Sequence, residues 1–137
     1  MLALAVSPNQ SDRLAVLIVE DHDDTRAMYA TFLSPLYDVL EAQNGARALD
    51  IIRERVPALV ITDLSLPGMD GFELVARIRA LPQSSDVPVI CLSGFDGKAH
   101  EERAREAGID RVLSKPCLPD ELARAAAEVV GTRRGSA

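Results

Sequence analysis

A chain of 137 residues fits one domain and is long enough to bury a core. With 47% apolar and 26% charged residues it has the balance of a folded soluble protein, and no stretch approaches the roughly 20 apolar residues that span a bilayer. The formal net charge of -6 opposes a polyanion and so speaks against direct nucleic-acid binding.

The opening MLALAVSPNQSDR lacks a basic leading segment and turns polar after Val6, so it does not read as a secretory signal, and a cytoplasmic location is expected. Cys91 inside an apolar run and Cys117 in a loop fit reduced thiols better than a disulfide frame or a zinc site. RERV and GTRRG, the dense basic spots, read as solvated surface.

Five short runs rich in Val, Ile and Leu read as strands: LAVLIVE (14–20), a more alternating YDVLEA (37–42), ALVITD (58–63), VPVICLS (87–93) and DRVLS (110–114). Segments with helical spacing lie between and after them. DTRAMYATFLS puts Met28, Phe32 and Leu33 on one face, expected to be core, and GARALDIIRER does the same with Ala48, Leu49, Ile52 and Val56. GFELVARIRAL offers Phe72, Leu74, Val75 and Ile78, and PDELARAAAEVV offers Leu122, Ala125, Ala126 and Val129. GKAHEERAREAG (97–108) has only alanines to bury and is expected to be the least firmly held helix. Asn44 is placed to cap the second helix and Asp120 to stabilise the start of the last.

Strand followed by helix, five times over, predicts right-handed crossovers and a doubly wound α/β fold, a five-stranded parallel sheet flanked by five helices. Residues 1–12 are expected to be a flexible N-terminal extension, 13–130 the folded domain, and 131–137 a flexible tail or the start of a linker. In such sheets reactive groups gather beyond the carboxyl ends of the strands. Those ends carry Glu20 and Asp21, then Asp63, then Ser93 with Gly94, then Ser114, Lys115 and Pro116.

Three carboxylates packed together repel, so a site that keeps them ionised needs a cation. Oxygen-only ligands suit a hard ion, and Mg²⁺ is the usual choice beside a phosphoryl group, with Mn²⁺ as a substitute. Lys115 adds a positive charge, and the Ser93 hydroxyl with the Gly94 N–H completes a cradle. The set makes chemical sense for phosphoryl transfer, with Asp63 as the nucleophile that becomes an acyl phosphate.

VLIVEDHDD, ITDLSLPGMDG, CLSG and VLSKP stand in the order and spacing of response-regulator receiver domains, and over about residues 14–130 the chain resembles that family of two-component signalling proteins. The resemblance implies the flavodoxin-like receiver fold. It also implies Asp63 as acceptor of a phosphoryl group from a histidine-kinase phosphohistidine, and Asp21 as a direct metal ligand with Glu20 acting mostly through water. Asp63 and the Ser65 backbone carbonyl would complete the metal site. It implies Ser93 as a switch hydroxyl and Lys115, before a cis Pro116, as the family's lysine. Pro67, Gly68 and Gly71 fit the loop after the acceptor.

Implied partners are a sensor histidine kinase or a histidine phosphotransfer protein upstream. Downstream they are a target protein, or a second copy through the face of the fourth helix, fifth strand and fifth helix. Such a domain is not an enzyme beyond catalysing its own phosphorylation and dephosphorylation. Several positions depart from the family pattern. Val112 stands where an inward-turning aromatic is common, Glu20 where Asp is frequent, and Cys117 where Phe is common, while Ser65 and Phe95 hold positions that influence phosphoryl lifetime. His22 and His100 read as exposed residues, not ligands. Two other readings remain open: an Asp-nucleophile phosphohydrolase, disfavoured by Ser65 where a second Asp belongs, and a degenerate receiver acting as a binding scaffold.

Overall fold

The computed structural model describes residues 13–94 and 98–135, without the side chains of 98–100 and 133–135. Strands and helices alternate as β1 (Ala15–Val19), α1 (Asp23–Leu33), β2 (Asp38–Ala42), α2 (Gly45–Glu54) and β3 (Leu59–Asp63). They continue as α3 (Gly71–Ala80), β4 (Val89–Ser93), α4 (Lys98–Ala107), β5 (Arg111–Ser114) and α5 (Pro119–Gly135), with a 3-10 turn at Pro82–Ser84. Every strand pair is parallel, in one sheet of order β2-β1-β3-β4-β5. This is the doubly wound, flavodoxin-like arrangement that the alternation predicts.

The three inner strands are buried at every residue because helices cover both sheet faces. Their side chains alternate between two cores. Val16, Ile18, Leu59, Ile61, Ile90 and Leu92 pack with α1 and α5, through Leu33, Leu122 and Ala126 among others. Leu17, Val19, Val60, Val89 and Cys91 pack with α2, α3 and α4, through Ile52, Leu74, Ile78 and Ala104. The edge strands β2 and β5 are only half-buried, which is why YDVLEA alternates more than its neighbours.

Helix starts follow the expected capping chemistry. The Asn44 side chain accepts from the Arg47 N–H and Asp70 from the Glu73 N–H, both at 2.8 Å. Helix α4 contributes the buried Ala104, and its Arg103 guanidinium adds a contact beyond the alanines, 3.9 Å from the Phe72 ring centroid.

Three expectations change. Met28 and Phe32 are not core: they are 43% and 45% exposed, and α1 buries Tyr29, Ala30 and Leu33 instead. Arg26, Tyr29, Ala30 and Leu33 follow an i, i+3, i+4, i+7 rhythm, but a charge at one position and a small side chain at another hid that face behind a more apolar one. Val56 lies past the end of α2 and is 41% exposed, so it is also outside the core. Helix α5 continues to Gly135, past residue 130, because its buried Val129 and Val130 anchor the turn from which the last residues extend. Residues 1–12, Phe95 and the side chain of His100 lie outside the described residues. No helix among the described residues is long and apolar enough to cross a membrane.

The true face of α1 is measurable. Leu33→Ala is expected to cost about 2–5 kcal/mol in urea unfolding, whereas Phe32→Ala stays within about 0.5 kcal/mol of the parent; similar losses at both positions would restore the face read from apolarity alone. Burial also pushes the Cys91 thiol far above its usual range. Ellman's reagent should therefore label Cys91 only when the chain is unfolded, and rapid native labelling would contradict the packing of β4.

Candidate functional site

Parallel register brings four strand ends to one rim. Val19 pairs with Thr62, Asp63 with Leu92, and Ser93 with Ser114, so the residues that follow each strand emerge at nearly one level. Glu20 is held there by its N–H, which donates to the Ala42 carbonyl at 3.0 Å. Lys115 is held likewise by its N–H, which donates to the Ser93 carbonyl at 2.8 Å. The peptide bond from Lys115 to Pro116 is cis, as expected.

Asp63 is the centre of the arrangement. It is only 4% exposed, and its two oxygens are used differently: Oδ1 accepts the Ser65 N–H at 3.0 Å, while Oδ2 is in close contact with the Lys115 ammonium. Glu20 is equally buried, and its Oε2 accepts the His22 N–H at 3.0 Å. Asp21 stands exposed at the lip. One oxygen from each of Glu20, Asp21 and Asp63 lies within 4.8 Å of the others.

Charge decides what this cluster can hold. At an effective dielectric near 20, two carboxylate charges at such a spacing repel by on the order of 3 kcal/mol. Lys115 cancels one of three formal negative charges and leaves two, the charge of a divalent cation. The ligating atoms are all oxygen, and His22, the nearest histidine in sequence, contributes its backbone N–H. A small hard cation fits that donor set. The cluster's other relief is a proton: burial raises the Glu20 pKa, the His22 N–H opposes the shift, and the Asp63 charge adds to it.

The cluster opens into a cleft of about 810 Å³ lined also by Thr25, Met28, Tyr29, Ser65, Gly94 and Leu118. Ser93 lines a neighbouring pocket instead, with Ser65, Gly94, Phe72 and Arg103. Strand alternation is the reason. Asp63 shares the parity of Leu59 and Ile61, which face α1 and α5, whereas Ser93 shares the parity of Val89 and Cys91, which face α2, α3 and α4. Glu20, Asp21, Asp63, Lys115 and Ser65 are thus brought together, and Ser93 sits one pocket away with Ser65 and Gly94 shared between the two.

The loop after Asp63 is pinned by close backbone approach. The Gly71 N–H donates to the Leu64 carbonyl at 2.9 Å, and a Cβ at Gly71 would fall 2.7 Å from the Asp63 carbonyl oxygen. Gly68, at φ +79°, makes the turn that other residues resist.

Two residues of α1 enter the site without having been singled out in the sequence. Arg26 donates from Nη1 to the Glu20 carbonyl at 2.8 Å, and also binds Asp23 at 2.8 Å and Glu41 at 3.3 Å. Tyr29 donates its buried hydroxyl to the Cys117 carbonyl at 2.7 Å, and burial pushes its phenol up to about 12, so it stays a neutral donor. Their signal was the Arg26, Tyr29, Ala30, Leu33 spacing noted above.

A doubly wound sheet with an acid triad and a lysine at its carboxyl rim defines the class of receiver-type α/β domains. The family model for the response regulator receiver domain matches residues 16–127, and the chain belongs to that family. It is 34% identical over 125 residues to the chemotaxis protein CheY homolog of Campylobacter jejuni, covering 89% of this chain and 96% of that protein. It is also 34% identical over 107 residues to histidine kinase P4 of Formosa agariphila, where 78% of this chain spans 8% of the relative's length. The structure of the chemotaxis protein CheY4 of Vibrio cholerae superposes with a TM-score of 0.82 at 27% identity, over 85% of this chain and 98% of that one. The protein is a receiver domain of the two-component response-regulator type.

The crowding of acids has a consequence for stability. Asp21→Asn is expected to raise the urea midpoint in the presence of a chelator, and the gain should shrink as salt rises, because the removed repulsion is partly solvent-screened. A lower midpoint would mean that the three carboxylates do not confront one another in solution.

Proposed function

We propose that the domain accepts a phosphoryl group on Asp63 in a Mg²⁺-dependent reaction and that the acyl phosphate alters which partners it binds. The observation that carries this reading is a buried carboxylate, central to the acid cluster, in contact with Lys115 at the mouth of a cleft. A carboxylate oxygen of Asp63 attacks the phosphorus of a phosphohistidine. An O–P bond forms and the P–N bond breaks, and the imidazole nitrogen leaves with the electron pair.

Glu20, Asp21, Asp63 and the backbone carbonyl of Ser65 would hold the metal, Mg²⁺ or Mn²⁺. When bound, it neutralises charge on the phosphoryl oxygens. Lys115 trades its contact with Asp63 for one with a phosphoryl oxygen, and the Ser93 hydroxyl, reached past the shared Ser65 and Gly94, donates to another. The domain modifies itself and turns over no outside substrate, so it is not an enzyme in the ordinary sense.

The donor in this reading is a sensor histidine kinase or a histidine phosphotransfer protein, met in the cytoplasm. The exposed Met28, Phe32 and Leu118 support docking beside the cleft, since Met28 and Leu118 line it and Phe32 continues the same face of α1 one turn on. Output would pass through the face of α4, β5 and α5 to a protein target or a second copy. A net charge of -6 argues against nucleic acid.

Incubation with ³²P-labelled acetyl phosphate and Mg²⁺ should label the protein up to one phosphoryl group per chain, with base-labile chemistry. Asp63→Asn and excess EDTA should each reduce labelling by at least about a hundredfold. Stoichiometric labelling of the Asn variant would place the acceptor elsewhere, and turnover of phosphate esters would favour a hydrolase.

A further inference from the structure

The acid pair and the lysine reach Asp63 from opposite sides, on backbone segments that belong to different strands. Both segments are tied to one helix. One turn apart on α1, Arg26 holds the carbonyl of Glu20 and Tyr29 holds the carbonyl of Cys117, two residues beyond Lys115. Neither donor touches the acid cluster's carboxylates through these bonds, so both act through what they position.

We propose that α1 is a two-point brace for the site. Arg26 fixes the end of β1 that presents Glu20 and Asp21, and Tyr29 fixes the loop that presents Lys115. The inference rests on the reading of the site as a metal-dependent phosphoacceptor, but its geometric core does not.

The bonds are suited to the task. The Arg26 guanidinium is anchored on two further sides, by Asp23 of its own helix and Glu41 of β2, so the carbonyl it grips is fixed relative to both elements. The Tyr29 hydroxyl and the Cys117 carbonyl meet in a buried contact, where losing one partner strands the other. Tyr29 and Cys117 also pack in the same apolar cluster, so the bond is locked by side chains around it.

Three variants, with Arg26→Lys as the conservative rescue, test the brace. Arg26→Met keeps the stem and removes the guanidinium. Tyr29→Phe removes one hydroxyl. Ser84→Ala is the control: it deletes a matching buried bond, from a hydroxyl to the Ile78 carbonyl at 2.7 Å, near the other end of the sheet.

The first readout is amide hydrogen exchange in metal-free protein, compared with the control at matched stability. Arg26→Met should speed exchange at Glu20 and His22, and Tyr29→Phe at Lys115, by about tenfold. The second readout is function. Arg26→Met should weaken Mn²⁺ binding, followed by electron paramagnetic resonance, by about tenfold, while Arg26→Lys restores part of it. The sign is diagnostic, because removing a cation near an acidic cluster would by charge alone tighten the metal. Tyr29→Phe should leave Mn²⁺ affinity within about twofold and slow acetyl phosphate labelling by about tenfold.

Exchange at the named amides no faster than in Ser84→Ala, or Mn²⁺ affinity unchanged or tighter in Arg26→Met, overturns the brace. So does Tyr29→Phe labelling at the parent rate. If the parent protein neither binds Mn²⁺ nor takes up phosphate while the exchange pattern holds, the phosphoacceptor reading fails and the brace stands as geometry.

Discussion

The structure depends on keeping three carboxylates and one ammonium together where a parallel sheet meets solvent. Asp63 is confined: it ends a central strand whose every residue is buried, and Gly71 passes so close that a Cβ there would meet its carbonyl oxygen at 2.7 Å. Glu20 is nearly as confined, so only Asp21 can spread its charge into water. Burial is what chiefly raises the Glu20 pKa, with the Asp63 charge adding to the shift and the His22 N–H opposing it.

Alternation along β3 and β4 sends Asp63 and Ser93 to opposite sides of the sheet and into neighbouring pockets. Asp63 emerges toward α1 and α5, and Ser93, one register step further, toward α3 and α4. The pocket at Ser93 also contains Phe72, whose ring carries Arg103 of α4. Gly71, whose backbone abuts Asp63, is the residue before Phe72. The pocket thus joins the first turn of α3 to α4 through this cation–π pair. Helix α4 has little else apolar to hold it, and Ala104 is its one fully buried side chain among those described.

The strands were legible because burial on both faces leaves an unbroken run of Val, Ile and Leu, and the site was legible because the ends of those runs fall at one rim in any parallel sheet. Asp63 and Lys115 needed no side-chain detail to be brought together. The face of α1 was not legible, because apolarity pointed to Met28 and Phe32 while the helix turns an arginine and a tyrosine inward for their hydrogen bonds. A donor that serves a backbone carbonyl weakens the hydrophobic signal of its face, so the Arg26, Tyr29, Ala30, Leu33 spacing was outweighed by a more apolar one. Ser93's displacement into a second pocket was readable in principle from strand parity, but only once the register of β3 against β4 was fixed.

The same limit explains Cys117. As a sequence departure it looked like the loss of an apolar plug, since a small thiol stands where a large ring is common. In the fold it is buried against Tyr29, which comes from another element 88 residues away. The helix sets an aromatic ring in the same apolar cluster, and the loop's own carbonyl accepts its hydroxyl. The acceptor is a main-chain carbonyl, which any residue at 117 would present, so the bond depends on Tyr29 and not on the thiol. The directional contact therefore comes from α1, and it lands two residues from Lys115, which the site sets against Asp63.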